Sequence, residues 1–307
     1  MKGVGLALLP SGFDSLSHAA YPSSLLSPQP GETLITILHT NDTHSHIDPL
    51  PMNDSEHPGM GGIARRATLV KRVRRENPNT LLVDAGDVFQ GTPYFNLFRG
   101  EVEYKAMSAM GYDAGTLGNH EFDNGVRSLA SALKHASFPI VNANYDLRGT
   151  PLESLVKPYI VREVGGVRVG LFGMGIRLEG FYPADRYTGV KFLDHVTAAR
   201  RAVDALRTKE RCAMVVCLSH MGYYEPPKGK EFGDSQLVAQ VDGIDFIASG
   251  HSHIFMTEPA FARQPSGART MIFQMGKAGL YVGRVDFTLR DGRITAAAGK
   301  LLDLRDV

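Results

Sequence analysis

The amino-acid sequence predicts a layered α/β fold, and three observations carry that prediction. From Gly31 onward, apolar β-branched runs alternate with stretches of helical period. Five of those runs deliver a carboxylate, amide or imidazole immediately past their carboxyl ends. A chain of 307 residues, 43% hydrophobic and 21% charged, has ample sequence to bury the core of one large domain or two modest ones.

Taken in order, residues 1–30 read as an irregular leader or degraded signal segment, and 31–307 as a single domain. Lys2 and the apolar Val4-Gly-Leu-Ala-Leu-Leu9 hint at a secretory signal, and His18-Ala-Ala20 imitates a cleavage site. Pro10, Ser11, Gly12 and Asp14 cut that stretch short, so the compartment stays open. Strands are expected at 34–39, 80–84, 113–117, 139–142, 213–219 and 244–249, and helices at 63–76, 94–110, 126–135 and 195–208. Gly165-Gly166 signals a hairpin between runs at 159–164 and 167–172. The C-terminal third, with runs near 271–274, 281–289 and 294–298, reads as antiparallel, the last pair turned by Asp291-Gly292. The aperiodic loop from Pro49 to Gly62 is either a surface excursion or a lid. Lys71-Arg-Val-Arg-Arg75 reads as the solvated face of a helix.

Charge and composition exclude several function classes. Lys and Arg total 33 against 32 Asp and Glu, a near-balance unsuited to gripping a nucleic acid polymer or an anionic membrane. No run approaches the length of a spanning helix. Cys212 and Cys217, placed on opposite faces of one strand, are beyond disulfide reach and read as small core residues. The dinucleotide loop, the P-loop and the nucleophile elbow are each missing a required residue.

The chemistry sits at the strand ends. Leu34-Ile-Thr-Ile-Leu38 leads to Asp42 and His44, Leu81-Leu-Val83 to Asp84 and Asp87, and Ala114-Gly-Thr-Leu117 to Gly118-Asn119-His120-Glu121-Phe-Asp123. Met214-Val-Val-Cys-Leu218 leads to His220, and Phe246-Ile-Ala248 to Gly250-His251-Ser-His253. In a largely parallel sheet these ends share one edge, where open α/β sheets bind ligands. Each motif alone has a bland reading: Asp84 and Asp87 as helix caps, Gly118-Asn119 as a glycine-opened loop. Their recurrence at five successive ends outweighs those readings. Convergence brings together Asp42, His44, Asp87, Asn119, His220, His251 and His253. Seven O and N donors with one shared carboxylate suit two divalent cations about 3.5–4 Å apart. With no thiolate in the set, Zn, Mn, Fe or Co fits, Zn and Mn foremost. His39 and His46 flank the first motif and read as packing or exposed residues, His18, His57, His135 and His195 as surface ones. Asn142 and Asn144 either border the site or make turns.

The order Asp-x-His, Gly-Asp, Gly-Asn-His-Glu, His, Gly-His-x-His resembles the calcineurin-like metallophosphoesterases, and the fuller motifs resemble their 5'-nucleotidase branch. The resemblance implies a four-layer α/β/β/α sandwich with two mixed central sheets flanked by helices. It implies one metal on Asp42, His44, Asp87 and His253 and a second on Asp87, Asn119, His220 and His251. His120 and Asp123 take the place of the catalytic dyad. The implied activity is hydrolysis of phosphoesters, nucleoside 5'-monophosphates foremost, by a water or hydroxide held between the cations. His253 stands where many nucleotidases have Gln. The resemblance further implies a second, base-stacking domain beginning where this sequence stops near Val307, hence a separately encoded partner chain, and an extracytoplasmic address. The alternatives are a sulfur-ester hydrolase on the same centre and a non-catalytic subunit.

Overall fold

The computed structural model describes residues 25–224 and 232–307, so most of the expected leader lies outside the described residues. One sheet contains β1 (Thr33–Thr40), β2 (Thr80–Asp84), β3 (Ala114–Thr116), β4 (Ile140–Val141), β6 (Val156–Lys157), β14 (Tyr281–Arg290) and β15 (Arg293–Asp303), in the spatial order β15-β14-β1-β2-β3-β4-β6. The second contains β7 (Tyr159–Val164), β8 (Val167–Gly175), β10 (Met214–His220), β11 (Phe246–Ser249), β12 (Ala260–Arg263) and β13 (Arg269–Gln274), ordered β12-β13-β11-β10-β8-β7. A small ribbon pairs β5 (Tyr145–Asp146) with β9 (Lys191–Phe192). In the first sheet β1, β2, β3, β4 and β6 run parallel, and β14 is antiparallel to both β1 and β15. In the second, β13, β11, β10 and β8 run parallel between antiparallel edge strands β12 and β7.

The period-2 alternation of the strands sorts their side chains into three apolar layers. Ile35 and Ile37 of β1 point into a core shared with Val216 and Leu218 of β10 and Phe246 of β11, filling the space between the sheets. Leu38 and Leu82 turn the other way, against α1 (Ile63–Glu76), α3 (Glu101–Met110) and α4 (Gly125–Leu133). Val215 and Cys217 of β10 face α5 (His195–Asp204) and α6 (Asp234–Val238). Three cores between four layers make the α/β/β/α sandwich.

Several expectations need correction. The five strand tips do not share one sheet's edge; β1, β2 and β3 belong to one sheet, β10 and β11 to the other. The single helix expected over 94–110 is two, α2 (Pro93–Phe98) and α3, separated by Arg99 and Gly100 at φ 52° and 94°. A Cβ on Gly100 would lie 2.1 Å from the Phe89 ring, so the core packs against bare backbone there. The helix expected to Thr208 ends at Asp204 in a wider turn over Ala205–Lys209. Cys212 precedes β10, and both cysteines lie free and buried in the same apolar layer. His195 is no surface residue: it stacks on Phe232 at 5.1 Å and meets Phe192 edge-on at 4.6 Å. The two glycine-containing hairpin turns form where expected, with Gly165, Gly166, Asp291 and Gly292 all at positive φ.

Candidate active site

The seven candidate donors meet where the two sheets' strand ends face each other. Asp42 and His44 follow β1, Asp87 follows β2, Asn119 follows β3, His220 closes β10, and His251 and His253 follow β11. Two groups form. Asp42, His44 and His253 bring ligand atoms within 4.8 Å of one another, and so do Asp87, His220 and His251. His253 Nε2 lies 3.2 Å from Asp42 Oδ1 and 3.0 Å from His44 Nε2. His220 Nε2 lies 3.0 Å from Asp87 Oδ2, and His251 Nδ1 lies 3.0 Å from Asn119 Oδ1. A third group, His44, Asp87 and His120, joins the two.

Hydrogen bonds behind the donors fix which atoms they present. His44 Nδ1 donates to Phe89 O at 3.0 Å and His220 Nδ1 to Ala85 O at 2.8 Å. With Nδ1 tied to a backbone carbonyl, both rings direct Nε2 toward the carboxylates. His220 Nε2 is fully buried against the Asp87 carboxylate. An imidazole nitrogen and a carboxylate oxygen that each sit ~2 Å from one cation come about this close to one another. The donor set of imidazole, carboxylate and amide, free of thiolate, fits divalent cations.

The backbone is bent to achieve this. Asp42, His44, Asp87, His251 and His253 all have φ between 48° and 75°, a region few non-glycine residues enter. Such residues cost of order 1 kcal/mol or more each and persist where surroundings over-determine them. Asn119, by contrast, is right-handed at φ −78°. Gly118 permits the close approach of two loops, since a Cβ there would lie 2.2 Å from Asp87 Oδ1.

Electrostatics follow from burial and proximity. Burial penalises the Asp87 carboxylate, but the neighbouring imidazoles, His220 first, outweigh it and hold the group ionised. Burial likewise pulls His220 down, yet the charges of Asp87 and Asp42 drive it up to about 10. His251, buried beside His220, falls to about 4. Next to these donors, His120 Nδ1 lies 3.1 Å from both Asp123 carboxylate oxygens. Burial opposes its charge, but the Asp123 bond and the carboxylates of Asp87, Asp123 and Glu121 raise its pKa above the ordinary value.

Two residues without a role in the sequence reading, Glu121 and Tyr182, act here, and Asp84 departs from its reading as a cap. Glu121 is buried, and its carboxylate accepts backbone N–H groups from Asp87, Val88, Phe89 and Gly118 at 2.6–3.4 Å, stapling the second tip to the third. The Tyr182 hydroxyl lies 3.3 Å from both Asn119 Nδ2 and His120 Nδ1. Asp84, buried and bonded to Thr40, is pushed up to about 7 by burial and caps no helix. Glu121 stood in the motif; nothing in the sequence pointed to Tyr182. Asn142 and Asn144 make turns, Asn142 Oδ1 accepting from the N–H groups of Asn144 and Tyr145. Two cavities flank the site, one of about 430 Å³ reaching His44, His120 and His253, and one of about 530 Å³ bounded by His251, Phe181 and His195.

A family model described as calcineurin-like phosphoesterase matches residues 35–255, spanning all the candidate donors. The chain belongs to the calcineurin-like phosphoesterase family. Within that family it is similar to the 5'-nucleotidase of Homo sapiens, 34% identical over 91% of this chain and 51% of that protein. The structure of a Thermus thermophilus 5'-nucleotidase precursor superposes with a TM-score of 0.78 at 36% identity, covering 88% of this chain and 54% of that one. A Thermus thermophilus sulfate thiohydrolase, 21% identical over 92% of this chain and 58% of that one, shares the fold with a TM-score of 0.73. The chain thus spans about half the length of the 5'-nucleotidases it matches. Among the described residues, no helix of this phosphoesterase is long and apolar enough to cross a membrane.

Proposed function

We propose that the chain hydrolyses phosphomonoesters, nucleoside 5'-monophosphates foremost, at a two-cation centre. The observation that carries the reading is the pair of histidines, His44 and His220, whose Nδ1 atoms are tied to backbone carbonyls while their Nε2 atoms converge on Asp42 and Asp87. One cation would rest on Asp42, His44, Asp87 and His253, the other on Asp87, Asn119, His220 and His251. A divalent pair so held would supply a hydroxide nucleophile at neutral pH, by lowering the pKa of a bound water, and would offset charge on the phosphoryl oxygens. His120 then has a separate task. Its Nδ1 faces Asp123, leaving Nε2–H free to donate. As the P–O bond to the leaving alcohol breaks, that proton passes to the alcohol oxygen, and Asp123 stabilises the imidazolium beforehand. Tyr182 holds the His120 ring and the Asn119 amide in one orientation.

The test combines metal content with phosphate release from adenosine 5'-monophosphate. Asp87→Ala is expected to lose bound metal and activity together. His120→Ala is expected to keep its metal and slow turnover about 100-fold or more. Purified protein without transition metal, and without any rate after Mn or Zn is added, would overturn the proposal. Sulfate release from thiosulfonate conjugates in place of phosphate release would transfer the centre to sulfur esters.

A further inference from the structure

β11 pairs in parallel with β13 as far as Ser249 and Gln274, and there the ladder stops. The residues that follow β11, 250–254, form the loop that carries His251 and His253. Both histidines lie in the left-handed region, at φ 75° and 55°. Backbone of that kind persists only where its surroundings over-determine it. Within the loop itself, Ser252 N donates to Gly250 O at 3.0 Å. Much of the remaining support comes from one side chain of the neighbouring strand.

Gln274 ends β13, is fully buried, and continues the broken ladder with its own amide. Its Nε2 donates to Ser249 Oγ and to Gly250 O, each at 2.8 Å. Its Oε1 accepts from Ile254 N at 2.6 Å and from Ser252 Oγ at 3.1 Å. A primary amide offers two N–H donors and two acceptor lone pairs, and all four serve this one segment. The planar group thus joins the loop's entry at Gly250 to its exit at Ile254, with both histidines between. Gly276, two residues on, donates its N–H to Ile254 O at 2.9 Å.

The brace is itself fixed to the first sheet. Asn41, just past β1, accepts at Oδ1 from Met275 N at 2.9 Å. Its Nδ2 donates to Gly276 O and to Asp42 Oδ2, both at 2.7 Å. The end of β13 and the Asp42 carboxylate are therefore held by the same amide. The two histidines belong to different donor groups, His251 with Asp87 and His220, His253 with Asp42 and His44. A shift of the loop as a unit would take an imidazole from both cations at once. We infer that Gln274 is a positioning residue that shapes the 250–254 loop and makes both cation sites depend on one brace. The inference rests on the two-cation reading above; the hydrogen bonds of Gln274 go to Ser249, Gly250, Ser252 and Ile254, not to the histidines.

The test titrates the metal-free protein with Zn against a chelating dye, with circular dichroism to verify that each variant is folded. The wild type is expected to take two Zn ions per chain. Gln274→Met keeps the side-chain length and removes all four hydrogen bonds, so both affinities are expected to fall 10–100-fold. Gln274→Glu keeps the acceptors and loses the donation to Gly250 O, so both affinities are expected to fall less; it carries the comparison alone where the Met variant does not fold. Excess Zn is expected to restore phosphate release from adenosine 5'-monophosphate, which a merely structural defect would not allow. Unchanged affinities in the folded variants, or a loss at one cation alone, overturn the brace. A wild type that binds fewer than two Zn ions overturns the two-cation reading, and the brace with it.

Discussion

His39 and His44 lie five residues apart and have opposite fates. His39 sits in β1 between Phe246 and Phe273, at centroid distances of 5.5 and 5.4 Å, and neither ring nitrogen has a partner. Gly283 makes the room, since a Cβ there would lie 2.0 Å from His39 Nε2. Burial alone lowers its pKa to about 3. The sign follows: below pH ~6.5 the unfolded chain binds a proton that the folded protein refuses until about pH 3, so stability falls as pH falls through that window. His39→Leu is expected to remove about 2 kcal/mol of the stability difference between pH 7 and pH 5, measured by denaturant unfolding at both pH values. Glu121 is the contrasting case, a buried carboxylate with every reason to be there. Glu121→Gln keeps the volume but replaces one acceptor oxygen with a donor facing backbone N–H groups. Metal affinity is expected to drop 10–100-fold, read by competition with a chelating dye. Residue type alone separated neither pair of roles; burial and hydrogen-bond partners do.

Among the elements, what was legible in the sequence is what a one-dimensional pattern can carry. Continuous apolar, β-branched runs located β1, β2 and β10 to within a residue or two, because a strand buried on both faces is apolar nearly throughout. Polar donors directly after such runs marked the tips, and those tips do meet in space. The seam between two sheets was not legible from strand ends, since nothing at a strand's end states which sheet it joins. Nor was the left-handed backbone at Asp42, His44, Asp87, His251 and His253, because it opposes local preference and is imposed by the surroundings. The break between α2 and α3 was marked by Gly100, whose cost inside a helix was outweighed in the reading by the apolar spacing around it. Gly118 tests how tightly the second and third tips interlock. Gly118→Ala is expected to displace the Asp87 loop, abolish metal binding and lower stability by about 2 kcal/mol, seen by metal analysis and thermal unfolding.

For the whole molecule, the centre is a cross-link. The proposed donors come from the ends of both sheets, so a cation held by them would bind only when the sandwich is assembled. Binding to the folded state alone raises stability by about 4 kcal/mol at a thousandfold excess over Kd. Thermal unfolding with EDTA and with added Zn or Mn is therefore expected to differ by several degrees, and Asp87→Ala is expected to erase the difference. An unfolding midpoint indifferent to metal would contradict the cross-link.

The sheet order also joins early and late parts of the chain: β1 lies between β2 and β14, some 240 residues further on. A ribosome making this protein releases Asp42 and Asp87 long before His251 and His253, and long before the strand that closes over β1. The nascent polypeptide can therefore hold no more than a fragment of the proposed centre until His253 and the strand Tyr281–Arg290 have emerged.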